Sequence, residues 1–427
     1  MNTAGIKRYY KKFGKDVIWT FAGQMIVMLI LLIINKVVST FMSVEDFGQY
    51  NLLRRSASVL SFTMLGGAGI ALPRYLAMSR QNRQERDRYL LSLIVYVLFV
   101  SASVFCLCLL FGKWLAPVLT GDNEWSHYFI LIAYSFATSV SSFVLAYYRG
   151  IGQFIRYNVL QILSQLLLLP PLAFVLHISI SALYLVWAII FSVLYLIVIL
   201  LEQSKERFSF SVGKKELRPY VKEVSQYSFP RLCGDFFLFF TNAFPLLYLN
   251  ARSSLSDVSF FSVGVSLLGI ATPVFSVLGV ILLPYVSSCL AEGKMREAKK
   301  NVNRLTFIYI TLAVMLTLCF FVFMRQIICL FFDPKYLSTI ETTRLLILAL
   351  LPDALYLLYR NPIDAISKTP YNTIIMLVSL GVLVAAFFLS GTLKEYAIAY
   401  LLAALFKGIA STITWYILIK KNGQTEF

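Results

Sequence analysis

Long apolar runs separated by short charged clusters repeat along the whole chain. A helix needs ~20 apolar residues to cross the ~30 Å hydrocarbon core of a bilayer. Twelve runs meet that length: 17–42, 52–78, 89–111, 127–149, 157–177, 181–201, 227–250, 260–289, 305–332, 342–360, 373–390 and 397–419. None shows the period-2 alternation of a membrane barrel, so the pattern predicts an all-α polytopic membrane protein. The first run follows "KRYYKKFGKD" and has no small-residue cleavage site. It is too long for a secretory h-region of ~7–15 residues and is expected to be a retained span.

Lysine and arginine alternate between connections. The basic clusters fall before the first run and in 79–88, 149–158, 202–226, 291–304, 359–372 and the tail. The alternate connections hold only Lys113, Arg252, Lys335 and Lys394. The positive-inside rule then places both termini in the cytoplasm. The longest connection, 202–226, is charged and reads as a cytoplasmic linker between two six-helix lobes, 1–201 and 227–427. A parallel repeat supports two lobes. Leu72-Pro73 and Leu283-Pro284, Asp46 and Asp257, and Tyr148-Arg149 and Tyr359-Arg360 all stand 211 residues apart. Six helices separate the equivalents, so both copies enter the bilayer from the same side. Such lobes are related by a pseudo-two-fold along the membrane normal and are expected to enclose a central cavity.

Composition agrees with a membrane chain. Of 427 residues, 59% are hydrophobic and only 14% charged, against about 25% charged in soluble domains. The net charge of +17 lies mostly in short cytoplasmic connections, where it orients the chain and meets anionic lipid rather than nucleic acid. The six cysteines all lie in apolar runs without metal-binding spacing, and burial is expected for them. His127 and His177 fall at segment ends and are expected at the interface. No metal site or organic cofactor is expected.

The charges inside the runs carry the candidate chemistry. Lys36, Arg54, Arg55, Arg74, Arg231, Arg325, Arg344 and Lys407 lie within spans or at their edges. Each central charge costs ~2.5–3.5 kcal/mol on insertion scales, so such groups face a bundle interior unless a long stem lets them snorkel. Lys407 is too deep to snorkel. Lys407 and Arg231, with Arg54 and Arg55 at the opening of span two and Lys36 in span one, are the cavity candidates. Arg74, Arg325 and Arg344 read as interfacial. Only two acids are deep. Asp353 follows Pro352, where a kink is expected. Asp235 lies one turn beyond Arg231 on the same face, as a structural ion pair or an ion-coupling group. The serines and threonine of span four (Ser135, Thr138, Ser139, Ser141, Ser142) suggest a wet interior or close packing.

The stretch "VEDFGQYNLLRR…LGGAGIALPRYLA" (Val44–Ala77) resembles the second-helix region of Wzx-type polysaccharide flippases. These belong to the multidrug/oligosaccharidyl-lipid/polysaccharide (MOP) exporter superfamily. "YYRGIGQFIRYN" (Tyr147–Asn158) is similar to the fourth-helix exit of the same family. The resemblance implies a non-enzymatic transporter of the bacterial inner membrane. Its cargo would be an undecaprenyl-pyrophosphate-linked oligosaccharide, moved from the cytoplasmic to the periplasmic leaflet for O-antigen or exopolysaccharide synthesis. It also implies coupling to a proton or sodium gradient, contact with membrane lipids, and other polysaccharide-assembly proteins as partners. The cavity cations suit an anionic cargo. A drug/cation antiporter of the same superfamily would need a cavity rich in carboxylates. A membrane-embedded glycosyltransferase or polymerase would need a large extramembrane loop.

Overall fold

The computed structural model describes residues 3–79, 82–174, 178–204, 214–367 and 369–423. His177 and positions 205–213 of the expected linker lie outside the described residues, as do the side chains of some helical positions, Asp235 among them. The described residues form α-helices joined by short turns. In chain order these are α1 (Thr3–Phe41), α2 (Val44–Leu65), α3 (Ala68–Met78), α4 (Arg83–Leu110), α5 (Gly112–Thr120), α6 (Trp125–Gly150), α7 (Phe154–Leu166) and α8 (Ile180–Ser204). They continue as α9 (Lys214–Arg252), α10 (Leu255–Ala291), α11 (Met295–Phe331), α12 (Ile340–Ile347), α13 (Leu350–Ile366), α14 (Tyr371–Phe388) and α15 (Leu393–Gly423). Among the described residues, ten helices are long and apolar enough to cross a bilayer alone. Two bent pairs, each taken as one span, bring the total to twelve, the number read from the hydropathy pattern.

The breaks in the bent pairs have local causes. α2 begins at Ser43, whose hydroxyl accepts the Asp46 N–H at 3.0 Å. Glu45 and Asp46 then sit at the positive end of the helix dipole. The helix therefore starts earlier than the apolar run, and Arg54 and Arg55 lie nearly three turns inside it rather than at its opening. It ends at Gly66 (φ 63°), and Gly67 (φ 77°) is also left-handed. That pair of residues turns the chain by 40° into α3. The second bent pair turns by 41° ahead of α13. Pro352 is the third residue of α13, within the first turn, where its missing N–H leaves no helical bond unmade.

The chain divides into two compact units, Met1–Leu255 and Ser256–Phe427. In the first, α2 packs on α6 and α9, α6 on α8, α4 on α9, and α1 on α7. The helix carrying 227–250, α9, belongs to this unit. Its core is aromatic: the Tyr184 hydroxyl donates to the Tyr50 carbonyl at 2.8 Å, and the Trp187 indole N–H donates to the Leu168 carbonyl at 3.1 Å. At Tyr184 and Trp187 apolar bulk is thus buried with its polar tip satisfied. In the second unit, α15 packs on α12, α13 and α14, and α11 packs on α13. The Tyr309 hydroxyl of α11 donates to the Phe275 carbonyl of α10 at 2.7 Å.

The outer surface is apolar. Phe99 is 71%, Phe307 72% and Leu389 89% exposed, which suits lipid as the solvent and not water. Burial of all six cysteines does not hold. Cys106, Cys233 and Cys319 are exposed and Cys329 is half-buried, whereas Cys108 and Cys289 are buried. The thiol is a small hydrophobe, so a lipid-facing position satisfies it as well as a core one.

Gly67 tests the packing of the first unit. A Cβ there would lie 2.4 Å from the Ser228 carbonyl oxygen of α9. Gly67→Ala is expected to destabilise the protein by about 1–3 kcal/mol, from the left-handed backbone and the displaced α9 together. Gly381→Ala, where a Cβ meets nothing within 4 Å, is expected to be neutral or to stabilise by a few tenths to ~1 kcal/mol. Thermal unfolding of the two variants in detergent checks this. Equal melting temperatures would refute the packing role.

Candidate functional site

Charged groups meet aromatic rings at separate places in the two units. In the first, Tyr227 of α9 carries two guanidinium groups. The Arg231 Cζ lies 3.4 Å from the Tyr227 ring centroid, and Arg231 Nη1 donates to the Tyr227 carbonyl at 2.8 Å. The Arg74 Cζ of α3 lies 4.2 Å from the same centroid. Helical side chains lean toward the N-terminus of their helix, so Arg231 folds back onto the residue four before it. Asp235 follows one turn on along α9, with its side chain outside the described residues. Tyr75 meets the Tyr227 ring edge-on at 5.5 Å and stacks on Tyr89 at 4.6 Å. The Tyr89 hydroxyl donates to Glu223 at 3.2 Å. The close approach at Gly67 holds the start of α3 against Ser228, Arg231 and Leu232, which fixes the α9 backbone under this cluster.

Arg54 and Arg55 are half-buried on α2. The Arg54 guanidinium interacts with the Tyr50 hydroxyl one turn earlier, and its charge is felt at Tyr134 and Tyr184. Lys36 is half-buried on α1, and its carbonyl accepts the Ser39 hydroxyl at 3.0 Å. Arg74 is exposed and Arg325 is exposed on α11, whereas Arg344 is half-buried and donates to the Phe321 carbonyl at 3.0 Å.

In the second unit two sequence-predicted residues come together. Lys407 Nζ of α15 lies 2.8 Å from Asp353 Oδ1 of α13, with side chains 16% and 24% exposed. The ammonium also sits 5.1 Å from the Tyr356 ring centroid. Gly408, the next residue, makes this possible. A Cβ there would lie 2.7 Å from the Pro352 carbonyl oxygen, so glycine lets α15 press directly on the backbone beside Asp353. The carboxylate in turn sits in the first turn of α13, where the helix dipole favours a negative charge. Lys407 and Asp353 thus neutralise each other locally.

Two residues of the polar face of α6 are satisfied by its own backbone. The Ser135 hydroxyl donates to the Leu131 carbonyl at 2.7 Å and the Thr138 hydroxyl to the Ser135 carbonyl at 2.9 Å. Close packing accounts for Ser135 and Thr138, whereas the buried Ser139 hydroxyl has no hydrogen-bond partner among the described residues. The α6 helix, with α4 and α8, also borders an apolar groove lined by Ile94, Val97, Phe143 and Ile199. At one end of the groove Glu202 pairs with Arg156 at 3.2 Å.

Sequence reading passed over Tyr227 and Tyr356 as members of these clusters. The Tyr-x-x-x-Arg spacing of 227 and 231, and the Asp-x-x-Tyr spacing of 353 and 356, signal one-face neighbours on a helix. A polar ladder between α1 and α7 also went unread: Gln24 Nε2 donates to Gln161 Oε1 at 3.2 Å, and Asn158 Nδ2 to Thr20 Oγ1 at 3.3 Å. Among the described residues, no group of three His, Cys, Asp or Glu side chains is placed to hold a metal ion.

The polysaccharide biosynthesis protein family matches the chain over residues 13–290. No curated protein matches it. Among solved structures, the eukaryotic MATE transporter AtDTX14 is 14% identical, with 97% of this chain and 99% of that chain covered and a TM-score of 0.70. A variant of the Vibrio cholerae MATE transporter VcmN is 14% identical, with 96% and 98% covered and a TM-score of 0.68. An inward-facing multidrug resistance MATE family transporter of the MOP superfamily is 13% identical, with 96% of each chain covered and a TM-score of 0.70. At that identity the likeness is one of fold.

The Lys407–Asp353 pair predicts strong coupling. Removing one partner strands the other in a nearly buried site, so Lys407→Met or Asp353→Leu alone is expected to cost ~3–5 kcal/mol. The double variant is expected to cost clearly less than the two singles added. A thermal-unfolding double-mutant cycle measures this, and additive losses would show that the pair contributes no interaction of its own.

Proposed function

The chain belongs to the polysaccharide biosynthesis protein family, and we propose that it is a membrane transporter of the MOP type that flips an undecaprenyl-pyrophosphate-linked oligosaccharide. The direction would be from the cytoplasmic to the periplasmic leaflet of the bacterial inner membrane. The observation that carries this reading is the family match, which spans most of the chain. The charge balance supports it: basic residues outnumber deep acids within the spans, as an anionic headgroup needs. Arg54, Arg55, Arg231 and Lys36 are the proposed cations for phosphate and sugar, and the polar side chains shared by α1 and α7 add hydrogen-bonding capacity. The groove of α4, α6 and α8 supports the lipid part of the cargo, because its lining is apolar enough for a hydrocarbon chain.

The same reading gives Lys407, Asp353 and Asp235 a part in coupling to a proton or sodium gradient. A carboxylate that holds a lysine releases it when protonated, so the pair can exist closed or open according to which side of the membrane supplies protons. No catalytic step is proposed, and both termini are placed in the cytoplasm on the charge bias alone.

A deletion strain tests the assignment. It is expected to lose surface polysaccharide and to accumulate lipid-linked oligosaccharide on the cytoplasmic leaflet. The wild-type gene should restore export, whereas Lys407→Ala and Asp235→Asn should restore it poorly. Leaflet-resolved measurement of the lipid-linked sugar is the readout. Normal polysaccharide in the deletion strain, with new sensitivity to cationic drugs, would replace the flippase reading with an antiporter.

A further inference from the structure

We infer that Arg74, Tyr227 and Arg231 form a clamp for a diphosphate group, which extends the flippase reading above by naming where the headgroup is first gripped. Two guanidinium groups share one aromatic ring, at 3.4 and 4.2 Å from its centroid. Their carbons are therefore no farther apart than the sum of those distances. Like charges held that close repel each other, and cation–π attraction of ~0.5–2 kcal/mol each compensates only in part. An anion that bridges both forks relieves the repulsion.

Among the described residues neither guanidinium makes an ion pair. Arg231 spends one N–H on the Tyr227 carbonyl. Arg74 hydrogen-bonds Tyr227 and feels Glu223 from a distance. Glu223 in turn accepts the Tyr89 hydroxyl. The neighbouring Arg88 is committed to Glu216 at 2.8 Å. Two planar forks with donors to spare match a ligand with two adjacent tetrahedral anions, each fork taking one phosphate in a bidentate grip. A single carboxylate or phosphate fills only one.

The clamp is built before any ligand arrives. Tyr75 fixes the Tyr227 ring edge-on, and the Gly67 contact fixes the α9 backbone at Ser228–Leu232. Little freedom remains to be lost on binding, which favours affinity. Arg74 is exposed and lies near the end of α3, ahead of the connection 79–82. The charge bias puts that connection in the cytoplasm, where the proposed cargo would enter.

Purified full-length protein in nanodiscs of phosphatidylethanolamine, titrated with inorganic pyrophosphate and then with inorganic phosphate, tests the clamp. Wild type is expected to bind pyrophosphate more tightly than phosphate. Arg74→Gln and Arg231→Gln should each weaken pyrophosphate about tenfold and erase that preference. Tyr227→Leu, which removes the ring both guanidinium groups rest on, should lose about as much as either arginine variant. Thermal unfolding identifies any variant that fails to fold, and Arg74→Lys, which keeps the charge and loses the fork, then takes its place with the same expected loss. Wild-type affinity in the arginine variants, or equal affinity for the two anions, would overturn the clamp. So would phosphatidylglycerol nanodiscs that abolish pyrophosphate binding, since the ligand would then be a bulk lipid headgroup. The outcome is separable from the transport reading. Lost pyrophosphate binding in the variants alongside normal export in the deletion strain keeps the clamp and removes the flippase; the reverse pair of results does the opposite.

Discussion

A charge inside hydrocarbon must be held by something, and among the described residues the holders include aromatic faces, helix backbone and the close Lys407–Asp353 pair. Arg231 rests on a tyrosine ring and its own helix carbonyl. Arg344 donates to a carbonyl of α11. Lys407 is held by Asp353. These solutions differ in what they leave available. An ion pair is locally neutral and yields its charge only if the carboxylate is protonated or displaced. A stacked guanidinium keeps its full charge and most of its donors, because the ring offers only a quadrupole.

Each unit sets its charged cluster on a point of helix-to-helix contact that only glycine permits. Gly67 lies against the α9 backbone at Ser228, within the stretch that carries Tyr227 and Arg231. Gly408 lies against Pro352, beside Asp353 and next to Lys407. Small residues let helix backbones approach closely in a membrane, where apolar side chains gain little by leaving lipid for one another. Close backbone contact leaves little slack, so the side chains next to it are positioned more firmly than their length would suggest. The helix breaks fall nearby as well. The left-handed pair Gly66–Gly67 ends α2, and α13 begins just before Pro352.

On the proposed function the two clusters would serve different steps. A headgroup carrying phosphates needs cations that are charged, accessible and already in place. A coupling element needs a charge that is concealed in one state and released in another. The stacked arginines of the first unit have the former character, and the lysine–aspartate pair of the second has the latter. The fold shared with MATE transporters at 13–14% identity is thus furnished here with more cations than acids.

The spans, their number and the membrane class were legible in the sequence, because hydrophobic length against bilayer thickness is a one-dimensional property. The special residues were legible as types: Pro352, and the charges at 54, 55, 231, 235, 353 and 407. Their partners were not. Arg231 was read with Asp235, whose side chain lies outside the described residues; its contact with Tyr227 went unread, although Cα–Cβ bonds tilt toward the helix N-terminus. Arg74 was read as an isolated interfacial residue, since nothing local links residue 74 to residue 227. Lys407 and Asp353 were recognised separately, and only the contact of Gly408 with Pro352 joined them. Local chemistry and span length follow from neighbours along the chain; which charge meets which ring or carboxylate depends on helix packing across many intervening residues, and that is decided only when the helices assemble.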